Sequence, residues 1–300
     1  MLLTISSMPS HVLFCFHPDL WLNMHQVAIS HPLTSPAASG SCFLASMTDY
    51  HGFLNPNDSV AISFWIISIA MVAATVFFLM ESLDVGYHWK TSLNVGALVT
   101  LVAAVHYFYM REYWIIMHGS PILYRYIDWS ITVPLQMIEF YLILLAVQPD
   151  LGGGMFWRLL GGTVAMLAFG YAGESKFMDP TAGFVLGMAG WGYILYEIFS
   201  GEAGNIATRS SGVNKHVKAS FKTMRFIVTV GWSIYPLGYF FGYLMGSVQD
   251  SVLNLVYNLA DLVNKIAFCL AIWASAKSST AEVLSESAPA SQTAGFCLIA

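Results

Sequence analysis

Charged residues are scarce in this chain. Asp, Glu, Lys and Arg together make up 10% of its 300 residues, against about 25% in soluble domains. Hydrophobic residues make up 57%, and the mean hydropathy is +0.63. This balance excludes an ordinary soluble protein and predicts an integral, multi-pass membrane protein whose main partner is the lipid bilayer. Basic clusters are also lacking, so no nucleic-acid partner is expected.

Cysteine is equally scarce, with four residues in the whole chain. Their spacing matches neither a metal site nor a disulfide framework, so no metal is expected, and a pairing of Cys15 with Cys42 is only a minor alternative. Cys269 lies in an apolar run and is predicted to be a small core residue. Cys297 begins the final sequence "CLIA", which fits a farnesylation pattern. No polybasic run precedes it, so we interpret the match as chance.

Long apolar runs are what the sequence has in abundance. A helix needs about 20 mostly apolar residues to cross a bilayer. Seven runs of this kind predict an all-α bundle of seven transmembrane helices, at 59–81, 91–111, 122–147, 153–173, 179–199, 222–246 and 252–276. Pro180 directly after Asp179 is typical of a capped helix start.

The few basic residues decide the predicted orientation. One side of the membrane would hold Lys90, Arg158, Arg209, Lys215, Lys218, Lys222, Arg225 and Lys277. The other side would hold only Arg111 and Lys176. By the positive-inside rule, the N-terminus is then extracellular and the C-terminus cytoplasmic. Two basic residues, Arg125 and Lys265, remain at membrane depth.

Three regions follow from this pattern. Residues 1–58 are predicted to be an extracellular extension that is poorly ordered or partly removed, and Met47 is an alternative start. Residues 59–277 form the seven-helix domain. Residues 278–300 are polar and of low complexity, which predicts a disordered cytoplasmic tail.

Span 3 carries an unusual set of polar residues on one face. Arg125, Asp128, Thr132, Gln136 and Glu139 are spaced so that they share one side of an α-helix. A charge at bilayer depth costs roughly 2.5–3.5 kcal/mol on insertion scales, so such residues are functional candidates by default. The two carboxylates are separated by about 16 Å along the helix axis, at 1.5 Å per residue. One of them would therefore lie near mid-membrane and the other nearer the cytoplasm.

Span 7 adds a second pair of ionisable residues. Asp261 and Lys265 are one helical turn apart on the same face. If spans 3 and 7 face each other, Lys265 meets both Asp128 and Asp261, with Arg125 below them. The plainest interpretation is an ion-pair network that fixes helix register, but it leaves Glu139 unexplained.

A desolvated lysine offers a chemical alternative. Its neutral amine can form a Schiff base with an aldehyde, and the protonated imine would need an anionic counterion in a dry site. A long apolar chromophore would also need flat aromatic walls. Candidates for those walls are Trp129, Trp191, Trp232 and Tyr235, with Pro236 kinking span 6 in "GWSIYPLGY".

The segments "YRYIDWSITVPLQMIEFYLIL", "GWSIYPLGYFFGYLMG" and "YNLADLVNKIAFCLAIW" closely resemble microbial rhodopsins of the proteorhodopsin type. The resemblance covers roughly residues 59–277. It implies a seven-helix protein that carries all-trans retinal and exports protons in the light. It also allows a homo-oligomer and an antenna carotenoid as partners, in the plasma membrane or, for a eukaryotic source, an internal membrane.

The resemblance assigns roles to the buried ionisable residues. Lys265 would hold retinal as a protonated Schiff base. Asp128 would be its counterion and proton acceptor, and Asp261 a second counterion. Arg125 would set the electrostatics on the extracellular side. Glu139 would be the proton donor from the cytoplasm.

Further assignments concern the surroundings of the lysine. His106 matches the family histidine that pairs with the acceptor aspartate; without the resemblance it would be interpreted as an ordinary core histidine. Gln136 occupies the colour-tuning position, where glutamine goes with blue absorption. The remaining pocket residues would be Trp129, Thr132, Trp191, Trp232 and Tyr235.

Several rival functions share this pattern. The main alternative is a photosensory rhodopsin that signals to a partner, although sensory relatives often lack a carboxylate at the position of Glu139. A light-gated channel, a chloride or sodium pump, and a receptor for a diffusible ligand fit less well. No extracellular proton-release group stands out, since Glu112, Glu174 and Asp250 lie near loops and are expected to face water.

Overall fold

The computed structural model describes residues 53–146, 148–209 and 214–287, and all regular structure within them is helical. In chain order the helices are α1 (Ser59–Glu81), α2 (Tyr87–Met117), α3 (Ile122–Leu145), α4 (Gly154–Glu174), α5 (Pro180–Phe199), α6 (Glu202–Arg209), α7 (Lys215–Phe226), α8 (Ile234–Tyr239) and α9 (Asp250–Ser287). A 3₁₀ turn covers Ser82–Asp84, and π-helical segments cover Ile227–Gly231 and Phe240–Leu244.

Six of the predicted spans are confirmed as helices long and apolar enough to cross a membrane. They are built on α1, α2, α3, α4, α5 and α9. The predicted cap is also present, because the Asp179 side chain accepts a hydrogen bond from the Ala182 backbone N–H at 3.0 Å. Which end of the bundle faces the cytoplasm stays a prediction.

The remaining predicted span, 222–246, is helical but not one continuous α-helix. It consists of the end of α7, a π segment, α8 and a second π segment. At the first π segment, the Trp232 N–H donates a hydrogen bond to the Ile227 carbonyl at 2.9 Å. This acceptor lies one residue further back than it would in an α-helix. Pro236 follows, and it has no N–H to contribute to the helical ladder.

Helices α4 and α5 pack closely because glycines meet at their crossing. A Cβ placed on Gly183 would lie 2.7 Å from the Cα of Gly173, which is closer than atoms of this kind approach. The side chains of α3 and α9 supply most of the buried polar residues of the bundle. The interior therefore has a polar seam between these two helices.

The last helix runs on to Ser287, beyond residue 277, where the sequence predicts a disordered tail to begin. That part of the boundary prediction is wrong for residues 278–287, because contacts with the rest of the bundle hold them. Thr280 accepts a hydrogen bond from the Gly86 N–H at 2.9 Å, and Glu282 accepts one from Asn214 at 3.0 Å. Propensity alone does not reveal such tertiary contacts.

Residues 1–52, which make up most of the predicted extension at 1–58, lie outside the described residues. The alternative start at Met47 and the Cys15–Cys42 pairing fall in this part of the chain. The tail from residue 288, including Cys297, lies outside them as well.

Candidate functional site

Lys265 lies at the centre of the buried polar seam. Its ammonium nitrogen donates a hydrogen bond to Oδ2 of Asp128 and another to Oδ2 of Asp261 at 3.0 Å. The lysine is 2% exposed and both aspartates are fully buried. The sequence predicted this meeting of spans 3 and 7. Breaking a buried ion pair of this kind typically costs about 3–5 kcal/mol, so the three groups depend on one another.

Asp261 is held by two aromatic side chains in addition to the lysine. The Tyr235 hydroxyl donates to its Oδ1 at 2.6 Å, and the Trp129 indole N–H lies 3.3 Å from its Oδ2. Oδ1 of Asp128 has no hydrogen-bond partner among the described residues. One aspartate is thus fixed by neighbours, whereas the other keeps a free acceptor site.

Arg125 lies one turn from Asp128, but its hydrogen bonds go elsewhere. Its Nη2 donates to Oδ1 of Asn254 at 2.9 Å and to Oδ1 of Asn258 at 3.1 Å. These asparagines share a face of α9 with the lysine, because Asn258, Asp261 and Lys265 follow Asn254 at 4, 7 and 11 residues. Sequence reasoning missed them, although this spacing was the signal that could have found them.

Glu139 is confirmed as buried, at 1% exposed. Neither of its carboxyl oxygens has a hydrogen-bond partner among the described residues, and the neighbouring Ser92 hydroxyl is likewise unpartnered. It lies on α3 away from Asp128, toward the predicted cytoplasmic end. A buried carboxylate without a partner is costly, whereas the neutral acid is tolerated.

His106 is half-buried on α2. Its Nδ1 lies 2.9 Å from the Val102 carbonyl of the same helix, and the ring is close enough to Asp128 to interact electrostatically. The structure gives no direct hydrogen bond between the two side chains. Their pairing stays a prediction. Thr132 is fully buried one helical turn from Asp128 and donates to the Asp128 backbone carbonyl at 3.0 Å.

A cavity with about 800 Å³ of empty space, including the part open to the surroundings, reaches Lys265. Seven of the residues predicted for the site line it: Trp129, Gln136, Trp191, Trp232, Tyr235, Asp261 and Lys265. The Trp191 indole is fixed by donating to the Val228 carbonyl at 3.1 Å. Sequence reasoning missed other wall residues, among them Met166, Gly170, Gly187 and Met188.

These residues fit a long apolar aldehyde such as retinal. A lysine nitrogen lies in the wall, carboxylates lie beside it, and flat aromatic side chains cover the space. Gln136 is buried, and its Nε2 has no hydrogen-bond partner among the described residues. That amide therefore has a free donor in the cavity wall, where it could act on a bound molecule.

The structure corrects one prediction about loop-side acids. Glu174 does not face water: it is 6% exposed and accepts a hydrogen bond from the Tyr126 hydroxyl at 2.9 Å. It also lines the cavity. This burial could not be predicted from the sequence, because it depends on Tyr126 of α3 and Tyr243 of the second π segment, which pack beside the last residue of α4.

Comparison with known proteins gives consistent matches. The family model described as bacteriorhodopsin-like protein matches residues 58–279. The blue-light absorbing proteorhodopsin of gamma-proteobacterium Hot 75m4 is 47% identical over 77% of this chain and 91% of its own. The green-light absorbing proteorhodopsin of gamma-proteobacterium EBAC31A08 is 46% identical over 74% of this chain and 88% of its own.

The fold comparison agrees. The crystal structure of blue light-absorbing proteorhodopsin from Med12 has a TM-score of 0.64 and 47% identity. The match covers 74% of this chain and all of that one.

Proposed function

This chain belongs to the bacteriorhodopsin-like protein family, and on that premise we propose that it is a light-driven outward proton pump that holds all-trans retinal on Lys265. It is an ion transporter rather than an enzyme, and an integral multi-pass membrane protein. The observation that carries the proposal is a buried lysine in a cavity wall that contacts two carboxylates, with a third carboxyl further along the same face of α3.

The residues around Lys265 explain how the pigment would be held. Retinal bound to the lysine nitrogen as a protonated Schiff base would absorb visible light, and the absorbed light would change its shape and supply the free energy for transport. Asp128 and Asp261 are buried beside the nitrogen and balance its positive charge. Trp191 and Trp232 line the space that the pigment would occupy.

Asp128 is the better placed of the two aspartates to accept the proton. It touches the lysine nitrogen through Oδ2, and its Oδ1 is not committed to another group. Asp261 is instead held by Tyr235 and Trp129, which stabilise its charged form through hydrogen bonds. We therefore assign Asp128 as acceptor and Asp261 as the second, permanent counterion. Arg125 would set the electrostatics below the pair.

Glu139 supplies the return proton in this proposal. It is buried without a partner, on the far side of the lysine from Arg125, so it can wait as a neutral acid. Because donor and acceptor lie on opposite sides of one nitrogen, the proton enters from the predicted cytoplasmic side and leaves toward the extracellular side. His106, near Asp128, would tune the acceptor.

A photosensory function remains the second candidate, since it would use the same pocket. The buried Glu139 favours the pump, because a sensor has no need of a proton donor. Blue absorption is proposed from Gln136, whose free amide donor lies in the cavity wall. The resemblance to the family also supports a homo-oligomer and an antenna carotenoid as partners.

Covalent binding at Lys265 can be tested directly. The protein purified with all-trans retinal should show a visible absorption band, which Lys265→Ala should abolish. Lys277→Ala is the matched control, since Lys277 lies on the same helix but is partly exposed and pairs with Glu81 at 2.9 Å. After borohydride reduction, mass spectrometry should find the retinyl group on the peptide with Lys265. A band that persists in Lys265→Ala would contradict the assignment.

A further inference from the structure

The last part of α9, residues 273–287, is tied to the start of the bundle at its predicted cytoplasmic end. The Trp273 indole N–H donates to Oε2 of Glu81 at 2.8 Å, and the Lys277 ammonium lies 2.9 Å from the same oxygen. Further on, the Thr280 hydroxyl accepts a hydrogen bond from the Gly86 backbone N–H at 2.9 Å. These contacts anchor the end of α9 to α1 and to the start of α2.

Glu282 makes a contact on the opposite side, with the start of α7. The Asn214 side-chain amide donates to its Oε2 at 3.0 Å. The Lys215 ammonium and the His216 Nε2 lie 3.4 and 3.7 Å from the same carboxylate. Asn214 also caps α7, because its Oδ1 accepts a hydrogen bond from the His216 backbone N–H at 2.8 Å. Glu282 therefore fixes the first turn of α7 to the anchored end of α9.

An apolar layer separates Glu139 from the same end of the bundle. Beyond Glu139, α3, α7 and α9 contribute buried side chains of one hydrophobic cluster: Ile143, Leu144, Val217, Phe221, Ile272 and Ala276. A proton carries a charge, which such surroundings disfavour. Two of these side chains, Val217 and Phe221, lie in the first two turns of α7. A movement of those turns would open the layer and let water reach Glu139.

We propose that Glu282 is a positioning residue for proton uptake, an inference that rests on the proposed pumping function. It holds the start of α7 closed over Glu139, and the release of its contacts sets how fast Glu139 regains a proton. The proton balance is simple. Glu139 gives its proton to the Lys265 nitrogen, a proton from cytoplasmic water then restores the O–H bond of Glu139, and Glu282 keeps its charge throughout.

The exposure of this contact suits a closure that opens once in each cycle. The Glu282 side chain is 36% exposed and that of Lys215 is 74% exposed, and ion pairs in such positions are weak. They can break and form again without a large barrier. The apolar layer beneath them is buried, so α7 returns to its closed position when the contacts form again.

Two rival interpretations make different predictions for proton uptake. If Glu282 only anchors the end of α9, its removal would leave the rate of uptake unchanged. If its carboxylate instead collects protons from the cytoplasm for Glu139, its removal would slow uptake. A residue that holds α7 closed has the opposite effect, because its removal makes opening easier and uptake faster.

The test is flash photolysis of the full-length, retinal-loaded protein with a pH-sensitive dye that records proton uptake from solution. We expect Glu282→Ala to speed uptake by about twofold to fivefold, the range for loss of an exposed charged pair. The earlier proton transfer to Asp128 should keep its wild-type rate. Glu286→Ala is the matched control, because it removes an exposed carboxylate one turn further along the same helix, and it should keep wild-type uptake.

A charge exchange shows whether the contact itself is responsible. Lys215→Glu places two carboxylates against each other and should also speed uptake, as should Glu282→Lys, which opposes two ammonium groups. The two substitutions together restore opposite charges, and uptake should return toward the wild-type rate, which is the coupling expected of residues in contact.

Unchanged or slower uptake in Glu282→Ala would overturn the role of Glu282, and so would a charge-exchanged protein that shows no such return. A wild type that is coloured but neither releases nor takes up a proton would instead contradict the pumping function itself.

Discussion

At the scale of single residues, the site is organised by the balance of buried charge. Lys265 and Arg125 carry two positive charges, and Asp128 and Asp261 carry two negative ones, all of them buried. Glu139 lies outside this balanced set. A network that served only to fix helix register would not need it, since an unpaired buried carboxyl adds cost and no pairing.

Removal of the carboxyl at position 139 tests its role as donor. Glu139→Gln should leave formation of the coloured ground state and the first proton transfer intact. It should slow recovery of the ground state by about a hundredfold, since a positioned proton donor contributes at least that much. Transient absorption after a flash measures this. Glu286→Gln, at an exposed position on the last helix, is the control; equal recovery rates in both variants would show that Glu139 is not the donor.

Gln136 offers a test of colour tuning. Its buried side-chain amide has a free donor in the cavity wall, and replacement by leucine removes that dipole. We expect Gln136→Leu to shift the absorption maximum to longer wavelength. Ser130→Ala, on the exposed face of the same helix, should leave the spectrum unchanged. If both variants keep the wild-type maximum, the amide does not set the colour.

Single residues also show where prediction from sequence stops. The spacing on spans 3 and 7 was enough to predict that Lys265 meets Asp128 and Asp261, because helix periodicity fixes which residues share a face. It could not predict that Arg125 bonds to Asn254 and Asn258. Nor could it predict that Glu174 is buried, since that depends on the path of neighbouring helices.

At the scale of elements, hydropathy predicted the spans but not their internal geometry. The span at 222–246 is apolar throughout, yet it contains two π-helical segments. Pro236 was the only signal for an irregularity there. The first π segment is followed by Trp232, and the cavity wall includes Trp232, Tyr235 and Pro236. The irregular backbone therefore coincides with the predicted chromophore site, as is common for π-bulges.

The crossing of α4 and α5 gives a prediction about stability. A Cβ on Gly190 would lie 2.7 Å from the Met166 backbone nitrogen, whereas one on Gly192 would meet nothing within 4 Å. Gly190→Ala should therefore destabilise the protein by about 1–3 kcal/mol, as overpacking does. Gly192→Ala should be neutral or slightly stabilising. Thermal unfolding followed by loss of the visible band compares them, and equal midpoints would contradict the tight crossing.

At the scale of the whole molecule, the buried groups divide the bundle into two halves. Arg125, Asn254 and Glu174 form a polar region on one side of Lys265, and Glu139 lies in an apolar region on the other. This asymmetry is what outward transport needs, because the proton must be supplied from one side and removed on the other. The direction itself depends on the orientation that the positive-inside rule predicts.

Light-driven proton flux is the most direct test of outward pumping by this protein. Cells that express the protein and receive all-trans retinal are illuminated in weakly buffered medium while the external pH is recorded. We expect the external pH to fall in the light, and we expect a protonophore or Asp128→Asn to abolish the fall. A coloured protein that leaves the external pH unchanged under illumination would contradict it.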